Sequence, residues 1–595
     1  MAIQRLECLR QLMKQKKIDA YIIPTDDFHL SEYTGEYFNS RAFMSGFTGS
    51  AGTLIVTNKE AGLWTDGRYF LQAGKELSES TIQLFRQGEA DVPDIIDYLF
   101  EKLDENNVVG FDGRVISAHW GEVLKQRLGT KKITLEYDID LVDMIWDRRP
   151  PLSENKLYEL GLSYTGLSAA EKLTRLREKM SDCGATLHIL TSLDDIAWLF
   201  NFRGSDVPYN PVVLCYAVIK LKSACLFIDE QKLDMNMKQK LVNLGVSIST
   251  YDAIYHYISK VSLDEVILLD KNRVNYSICN SLPARVKVIE QINPTTLFKA
   301  VKTNEEIKNI KEAHIKDGVA FTIFMYWLKS NIGKIQISEK TASDYLEYCR
   351  RQNEGFVELS FPTICGYKEH GAIVHYSVTE ESDTPLDTEG LLLVDSGGHY
   401  LEGTTDITRT IALGHVSKLI KKQFTAVVKG MLSLSQARFL YGCTGLNLDI
   451  LAREPLWEMG LDYKHGTGHG VGYLLNVHEG PNNIRWKQLP KQPSPVLEQG
   501  MITTNEPGIY IEGSHGIRIE NELLCCMDKE NEFGKFMYFE TLTFAPIDLD
   551  AIEKDDMSEM DKKRLNAYHQ LVYEKISPSL TGAQKSWLKN YTQPL

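Results

Sequence analysis

The feature that most restricts the fold is residues 391–413, which carry Asp395 and Asp406. Leu391–Val394 is a continuous apolar run, as expected of a buried strand, and Gly397-Gly398 begins a turn. The residues that follow alternate polar and apolar side chains, which predicts a return strand with Asp406 within it. Two acids on adjacent strands in an apolar setting repel each other unless a cation is present. Alone, Asp395 could equally cap a turn.

A second chemical segment, residues 465–481, reads HGTGHGVGYLLNVHEGP. It places His465, His469 and His478 among five glycines. Glycine lets the backbone approach a ligand closely, and histidines so grouped are typical of ligands or proton carriers. The pattern is not HExxH, so a thermolysin-type zinc helix is not supported.

A third segment, residues 502–524, contains Glu506 before a Pro-Gly turn signal. Alternation over Gly516–Glu522 predicts Arg518, Glu520 and Glu522 on one strand face. Upstream, His375 stands in the apolar stretch GAIVHY, which predicts a short strand. By itself, His375 could equally be a packed strand histidine.

These segments supply four carboxylates and one imidazole as candidate metal ligands: Asp395, Asp406, His469, Glu506 and Glu520. An oxygen-rich set with one histidine suits Mn, Co or Zn. Four carboxylates would balance two divalent ions, so the cluster can be buried without net charge. Two such ions about 3.5–4 Å apart can bridge a water and polarise a carbonyl, which is the chemistry of hydrolysis.

The rest of the chain predicts several domains, since 595 residues exceed one domain. Residues 1–150 alternate strand and helix signals and end in a proline-paired linker. The next segment repeats motifs of the first: DAYIIPTDD and ATLHILTSLDD, FTG and FRG, LWTDGR and CLFIDE. Either the domain is duplicated or two unrelated α/β domains share such fragments. A polar helix is predicted over Asn304–Lys316.

Composition excludes some function classes. A net charge of −14 gives no support to nucleic-acid binding. No window reaches the roughly 18 apolar residues of a membrane span, and the first residues do not read as a secretory signal. Ten scattered cysteines without a CxxC motif suggest reduced thiols. We therefore expect an intracellular protein without nucleic-acid or membrane partners.

The order D-x10-D, HGTGHG, NEPG and IRIEN resembles the creatinase/methionine-aminopeptidase family, whose fold is called pita-bread. SGFTGSAGT, TDGRYFLQA, WLFNFRGSD and the terminal TQPL extend the resemblance to the long Xaa-Pro aminopeptidases of that family. The resemblance implies two creatinase-like α/β domains, residues 1–152 and 153–298, and a C-terminal α+β pita-bread domain with a helical tail, residues 299–595.

The resemblance also implies residue roles. The five candidate ligands would hold two divalent ions, Mn²⁺ first and Zn²⁺ or Co²⁺ as alternatives, with Asp406 and Glu520 bridging. His375 and His478 would bind substrate and shuttle protons, and His465 would lie at the leaving-proline side. Glu506 would also move a proton, and Arg518 would hold the carboxylates in place.

The implied reaction is hydrolysis of the N-terminal Xaa-Pro bond by a hydroxide bridging the two ions. The substrates would be peptides with proline second, and the enzyme a cytoplasmic homodimer. Two positions depart from the family pattern: His370 stands where Asn is usual, and Val378 where Pro is frequent. A prolidase-like dipeptidase and a non-catalytic peptide-binding module of the same fold are the alternatives.

Overall fold

The computed structural model describes residues 2–488 and 494–595. Two compact units are present. One comprises Met1–Leu160 and Leu167–Thr295, and the other comprises Gly161–Gly166 and Thr296–Leu595. The predicted boundary between residues 152 and 153 lies inside the first unit and stays a prediction. Among the described helices, none has the length and apolar character that crossing a membrane requires.

The first half of the first unit contains one six-stranded sheet. Its strands are β1 (Ala20–Pro24), β2 (Thr53–Thr57), β3 (Ala61–Thr65), β4 (Ile82–Arg86), β5 (Val108–Phe111) and β6 (Thr134–Glu136). They are ordered β4-β3-β2-β1-β5-β6. Alternate residues of the central strand enter cores on opposite faces: Tyr21 and Ile23 on one, Ala20 and Ile22 on the other. An apolar run of this kind is expected of a strand buried on both faces.

The second half of the first unit contains another six-stranded sheet. Two short strands, β7 (Tyr158–Glu159) and β9 (Phe202–Arg203), pair in a sheet of their own. The strands of the six-stranded sheet are β8 (Leu187–Leu190), β10 (Cys215–Lys220), β11 (Ala224–Ile228), β12 (Val246–Ser249), β13 (Val266–Leu269) and β14 (Lys287–Glu290). The order β12-β11-β10-β8-β13-β14 matches the first sheet strand for strand. Every corresponding pair also runs in the same relative direction. The duplication inferred from the repeated motifs is confirmed.

Helices cover these sheets or connect their strands. They are α1 (Ala2–Lys16), α2 (Ser40–Ser45), α3 (Phe70–Glu76), α4 (Ile95–Lys102), α5 (Ala118–Gly129), α6 (Leu162–Thr165), α7 (Ala169–Asp182), α8 (Leu193–Phe200), α9 (Met235–Asn243), α10 (Ala253–Ser259), α11 (Tyr276–Ser281) and α12 (Pro294–Ala300). Helix α6 belongs to the second unit, and α12 spans the change of unit.

A long helix begins the main part of the second unit. The helices from there on are α13 (Asn304–Asn331), α14 (Glu339–Arg351), α15 (Lys418–Ser435), α16 (Gly445–Leu448), α17 (Ile450–Trp457), α18 (Glu559–Ile576) and α19 (Gly582–Tyr591). Thr303 and Glu306 form a capping box that starts α13. This helix continues well past the predicted Lys316, because Phe321 and Phe324 give its second half an apolar face.

The described part of the second unit holds four sheets, three of them small and one of six strands. Their strands are β15 (Phe356–Leu359), β16 (Ile364–Tyr367), β17 (Leu391–Ser396), β18 (Gly398–Tyr400), β19 (Gly403–Thr404), β20 (Ile407–Ala412), β21 (Arg438–Leu440), β22 (Gly468–Gly470), β23 (Glu479–Ile484), β24 (Ile502–Asn505), β25 (Gly508–Ile511), β26 (His515–Arg518), β27 (Asn521–Asn531) and β28 (Gly534–Thr541). Their orders are β15-β18-β19, β16-β17-β20, β21-β28-β27-β24-β22-β23 and β25-β26. The candidate ligands lie on or beside β17, β20, β22, β24 and β26.

The predicted hairpin over residues 391–413 needs a correction. Strands β17 and β20 pair antiparallel, but the connection between them forms its own strands, β18 and β19, in a separate sheet with β15. Asp406 therefore lies directly before β20 and not within a strand. The reason is the diglycine: a Cβ on Gly397 would lie 1.8 Å from the carbonyl oxygen of Thr405. Only glycine permits that close crossing of the chain.

Candidate metal centre

Strand alternation aims Asp395 toward the site. Leu392 and Val394 of β17 pack against helix α13 in one core, whereas Leu393 belongs to a cluster on the other side of the strand. Asp395 shares the face of Leu393. Its register partner on β20 is Thr408, two residues beyond Asp406. The two acids are therefore brought to one end of the β17–β20 pair.

The remaining candidate ligands come from the large sheet and a break between strands. His469 lies on β22 and its backbone N–H donates to Thr504 Oγ1 of β24 at 3.1 Å. Glu506 follows β24 directly. Glu520 lies between β26 and β27, so the single alternating strand predicted across this region is wrong. The backbone N–H of Glu520 donates to the Thr408 carbonyl at 3.0 Å, which ties this break to β20.

The structure brings three candidate ligands into one cluster, in which Asp406 and Glu520 are buried and His469 is partly exposed. One ligand atom each of Asp406, His469 and Glu520 lies within 4.8 Å of the others. His469 Nε2 is 3.5 Å from Asp406 Oδ2 and 3.8 Å from Glu506 Oε1. Asp395 is close enough that its charge raises the pKa of Asp406. All five candidates therefore surround one small region.

Their electrostatics favour a bound cation. Burial raises the pKa of Asp406 well above its ordinary value, and repulsion from Asp395 and Glu506 adds to that shift. Burial, and then the charge of Asp406, does the same to the pKa of Glu520. Burial also raises the pKa of Glu506. Carboxylates held together away from water are costly unless positive charge joins them.

Two observations show that the donors fit metal ions. The Nδ1 of His469 lies 2.9 Å from the Gly470 carbonyl oxygen, which can only accept, so Nδ1 carries the proton. The lone pair of Nε2 therefore faces the carboxylates of Asp406 and Glu506, as a metal ligand would. Asp395 Oδ1 is buried and makes no hydrogen bond, whereas its other oxygen accepts from Arg518. A divalent cation would accept the lone pairs of both His469 Nε2 and Asp395 Oδ1.

A hydrogen-bond chain leads from Asp395 to two partly buried residues, Tyr510 and His465. Arg518 Nη2 donates to Asp395 Oδ2 at 2.6 Å, and its Nη1 donates to the Tyr510 hydroxyl at 2.6 Å. The Tyr510 hydroxyl lies 2.8 Å from His465 Nε2. His465 Nδ1 lies 2.7 Å from the Gly466 carbonyl oxygen. The consistent assignment has Tyr510 donate to Nε2 while Nδ1–H donates to that carbonyl.

Both ring nitrogens of His465 are thus used within the protein. Burial, followed by the charge of Arg518, lowers the pKa of His465 to about 3. The imidazole is neutral across the physiological range, which agrees with one donating and one accepting nitrogen.

His478 lies beside the cluster, whereas His375 lies in a turn. The rings of His478 and His469 lie edge to face, with centroids 4.4 Å apart. His375 does not lie on the predicted strand: a 3-10 helix, Lys368–Ala372, ends just before it, and His375 stands in the following turn. The turn replaces a strand because Gly371 packs its backbone directly against Gly516 of β26. Val378, one of the departures from the family pattern, packs against the cluster that includes Tyr510.

Several residues at the site were not identified from the sequence. The Thr408 hydroxyl donates to Glu520 Oε2 at 2.6 Å and accepts from Arg518 Nε at 3.1 Å. Arg409 Nη1 donates to the Glu520 carbonyl at 2.6 Å. The polar alternation on β20 contained a signal for Thr408. Arg409 carried none, because its role depends on chain segments more than 100 residues away.

Comparisons with protein families agree with this architecture. Two matches to the family described as Creatinase/Prolidase N-terminal domain cover residues 5–145 and 148–306. Metallopeptidase family M24 matches residues 308–525, and the C-terminal region of peptidase M24 matches residues 535–595. The candidate ligands all fall within the M24 match.

Individual proteins extend the similarity to full length. Aminopeptidase P2 of Arabidopsis thaliana is 39% identical, with all of this chain and 88% of that protein aligned. The X-prolyl aminopeptidase of Caenorhabditis elegans, described as a cytosolic enzyme with a di-nuclear active site, superposes with a TM-score of 0.95 at 32% identity and 100% coverage of both chains.

A shorter relative matches only in part. An Xaa-Pro dipeptidase of Bacillus anthracis matches with a TM-score of 0.51 at 26% identity, covering 64% of this chain and 99% of its own. The long aminopeptidases, in contrast, align over the whole chain. On the strength of these full-length matches and the M24 region, the chain belongs to the Xaa-Pro aminopeptidase family of the M24 metallopeptidases.

Proposed function

We propose that this protein is an aminopeptidase that hydrolyses the bond between the first residue of a peptide and a proline in second position. The supporting observation is one buried cluster of carboxylates and histidine in a chain related end to end to X-prolyl aminopeptidases. The pairing of a complete ligand set with the full-length relationship favours catalysis over a non-catalytic binding role.

In this proposal five residues hold two divalent ions: Asp395, Asp406, His469, Glu506 and Glu520. Mn²⁺ is the proposed metal, with Zn²⁺ and Co²⁺ as alternatives, since oxygen donors with one imidazole suit all three. When bound, the ions activate a water molecule and polarise the scissile carbonyl. The C. elegans relative is described as having a di-nuclear active site, which supports two ions over one.

The protein's own groups then handle protons and charge. Glu506 takes the proton that the attacking water loses and delivers it to the departing proline nitrogen. His478 and His375 donate hydrogen bonds to the carbonyl oxygen as negative charge develops on it. His465 contributes as a neutral imidazole: it orients Tyr510, which with Arg518 fixes Asp395. Proline's fixed φ and missing N–H give a pocket something to select.

We further propose a cytoplasmic homodimer. All ten cysteines are free thiols, and the C. elegans relative is described as cytosolic. Reduced thiols are expected in the cytosol. Light scattering after size-exclusion chromatography tests the dimer: a mass near 67.6 kDa, that of one chain, would contradict it.

The test of the function compares three substrates: an Xaa-Pro-Xaa tripeptide, an Xaa-Ala-Xaa control and an Xaa-Pro dipeptide. We expect cleavage of the proline tripeptide alone, lost with chelator and restored by Mn²⁺. Asp406→Asn should abolish it. If the dipeptide is the better substrate, the hypothesis of a prolidase-like dipeptidase replaces that of an aminopeptidase. Two bound ions without cleavage of any proline peptide would reject the substrate class, and no metal binding would reject the enzyme.

A further inference from the structure

A single buried carboxylate gathers the segment that carries His375. Glu339 is fully buried, at 0% exposure, in the first turn of α14. Its oxygens accept from the backbone N–H groups of Tyr367 at 2.7 Å and Thr384 at 3.2 Å. These two residues flank the segment 368–383, which contains His375. Glu339 therefore joins both ends of this segment.

Two side chains from within the segment reach the same carboxylate. The Tyr376 hydroxyl donates to Glu339 Oε2 at 2.9 Å. His370 Nδ1 lies 2.9 and 3.1 Å from the two carboxylate oxygens, which can only accept, so Nδ1–H donates. The His370 and Tyr376 rings stack with centroids 4.5 Å apart. Hydrogen bonds to a carboxylate are roughly twice as strong as neutral ones, and the helix N-terminus adds favourable potential.

The opposite side of the segment lies against the candidate active site. A Cβ on Gly516 would lie 1.6 Å from the Gly371 carbonyl oxygen, so the 3-10 helix is seated directly on β26. Tyr376 and Val378 pack in the cluster that includes Tyr510. Tyr510 in turn bonds to Arg518 and His465. The segment is thus held between Glu339 on one side and Tyr510 on the other.

We propose that Glu339 is a positioning residue that fixes His375 at the substrate, acting through His370 and Tyr376. This inference rests on the proposed function, since it concerns the histidine that meets the substrate carbonyl. It also explains the departure at position 370: the residue there must donate to Glu339, which His and Asn can both do. Without its hydrogen bonds to Glu339, the segment would adopt other conformations, in which His375 does not reach the carbonyl oxygen of the substrate.

The central variant is Glu339→Gln, which keeps the shape but replaces one acceptor oxygen with an NH₂ donor. Misplacing a catalytic contact by about 1 Å costs up to roughly a hundredfold. We expect kcat and kcat/KM for the Xaa-Pro tripeptide to fall together by roughly ten- to hundredfold, with KM nearly unchanged and the metal content of the purified protein unaltered. This pattern marks an interaction made only in the transition state. Glu347→Gln, a partly exposed carboxylate on the same helix, is the matched control and should match the wild type.

A second measurement does not depend on activity. Glu380 and Glu381 are exposed within the segment, so a glutamate-specific protease reports its order. We expect faster cleavage there in Glu339→Gln than in Glu347→Gln. His370→Asn, whose amide can still donate, should retain more kcat than His370→Ala.

The possible outcomes distinguish a failure of this inference from a failure of the proposed function. Wild-type kcat and unchanged proteolysis in Glu339→Gln would overturn the inference. If Glu339→Gln fails to fold, equal kcat in His370→Ala, Tyr376→Phe and the wild type would overturn it instead. If the wild type cleaves no Xaa-Pro peptide, the proposed function fails, while the proteolysis comparison still decides whether Glu339 orders the segment.

Discussion

The ion cluster beside His478 yields a prediction whose size follows from its charges. Glu479 is 5% exposed and accepts from Lys302 Nζ at 2.5 Å, while Lys299 Nζ lies 3.2 Å from its other oxygen. Burial alone would raise the pKa of Glu479, but the two ammonium groups outweigh burial and lower it. The cluster carries a net charge of about +1, with one carboxylate balancing two lysines. Glu479 is therefore the residue whose removal should destabilise this ion cluster most.

Glu479→Gln would leave two buried ammonium groups without a counter-charge. Breaking a buried ion pair by removing one partner costs about 3–5 kcal/mol, and we expect that loss of unfolding free energy. Lys299→Met leaves the neutral Glu479–Lys302 pair, so its cost should stay near the ~1 kcal/mol of an ordinary substitution. Glu479 and Lys299 are both buried, at 5% and 7% exposure, but their loss shifts the charge of the cluster in opposite directions, so the two variants make a matched comparison.

The assay is urea unfolding followed by circular dichroism, with chelator present so that metal loss does not add to the effect. The midpoint and slope of the transition give the free energy for each variant. The charge argument requires Glu479→Gln to lose more than Lys299→Met. Equal stability of the two variants, or a larger loss in Lys299→Met, would refute it.

Three further predictions follow. Burial raises the pKa values of Asp406 and Glu520, and repulsion adds to it, from Asp395 on Asp406 and from Asp406 on Glu520, so the native chain holds protons that the unfolded chain releases. Their contribution to metal-free stability should therefore be fully present below the unfolded pKa values and fall by about 1.4 kcal/mol per pH unit for each held proton as pH rises from there toward the folded pKa values; a urea midpoint in chelator that rises from pH 5.5 to 8 would contradict this. Gly516→Ala should lower the melting temperature sharply, because its Cβ would lie 1.6 Å from the Gly371 carbonyl oxygen. An unchanged melting temperature in a thermal-shift assay would contradict that close contact. Tyr568→Phe removes the hydroxyl that accepts from Arg409 at 2.7 Å, so we expect a loss of about 1–3 kcal/mol in urea unfolding, and a neutral result would show that water replaces the hydroxyl.

Much of the fold was predictable because its causes are local. The apolar runs of β1 and β8 and the repeated motifs around them predicted two related α/β domains, and the two identical strand orders confirm that. The spacing of carboxylates and histidines likewise predicted a metal cluster from residue types alone. Strand alternation carries this information because side chains two residues apart share a face.

Other features depend on contacts that have no local signature. Arg518 meets Asp395 across 123 residues and Lys302 meets Glu479 across 177, so neither partner could be chosen from its neighbours in the chain. The apolar stretch around His375 reads as a strand, yet backbone packing against Gly516 and capture by Glu339 make it a 3-10 helix and a turn.

The sequence by itself determined the family, the two repeated sheets and the list of candidate ligands. The tertiary structure alone decided which groups hold those ligands: Thr408 and Arg409 bond to Glu520, and Tyr510 bonds to the Arg518 that holds Asp395. The physical reason is that a buried polar group must find its partner wherever the fold brings one, and that partner is set by packing and not by sequence distance.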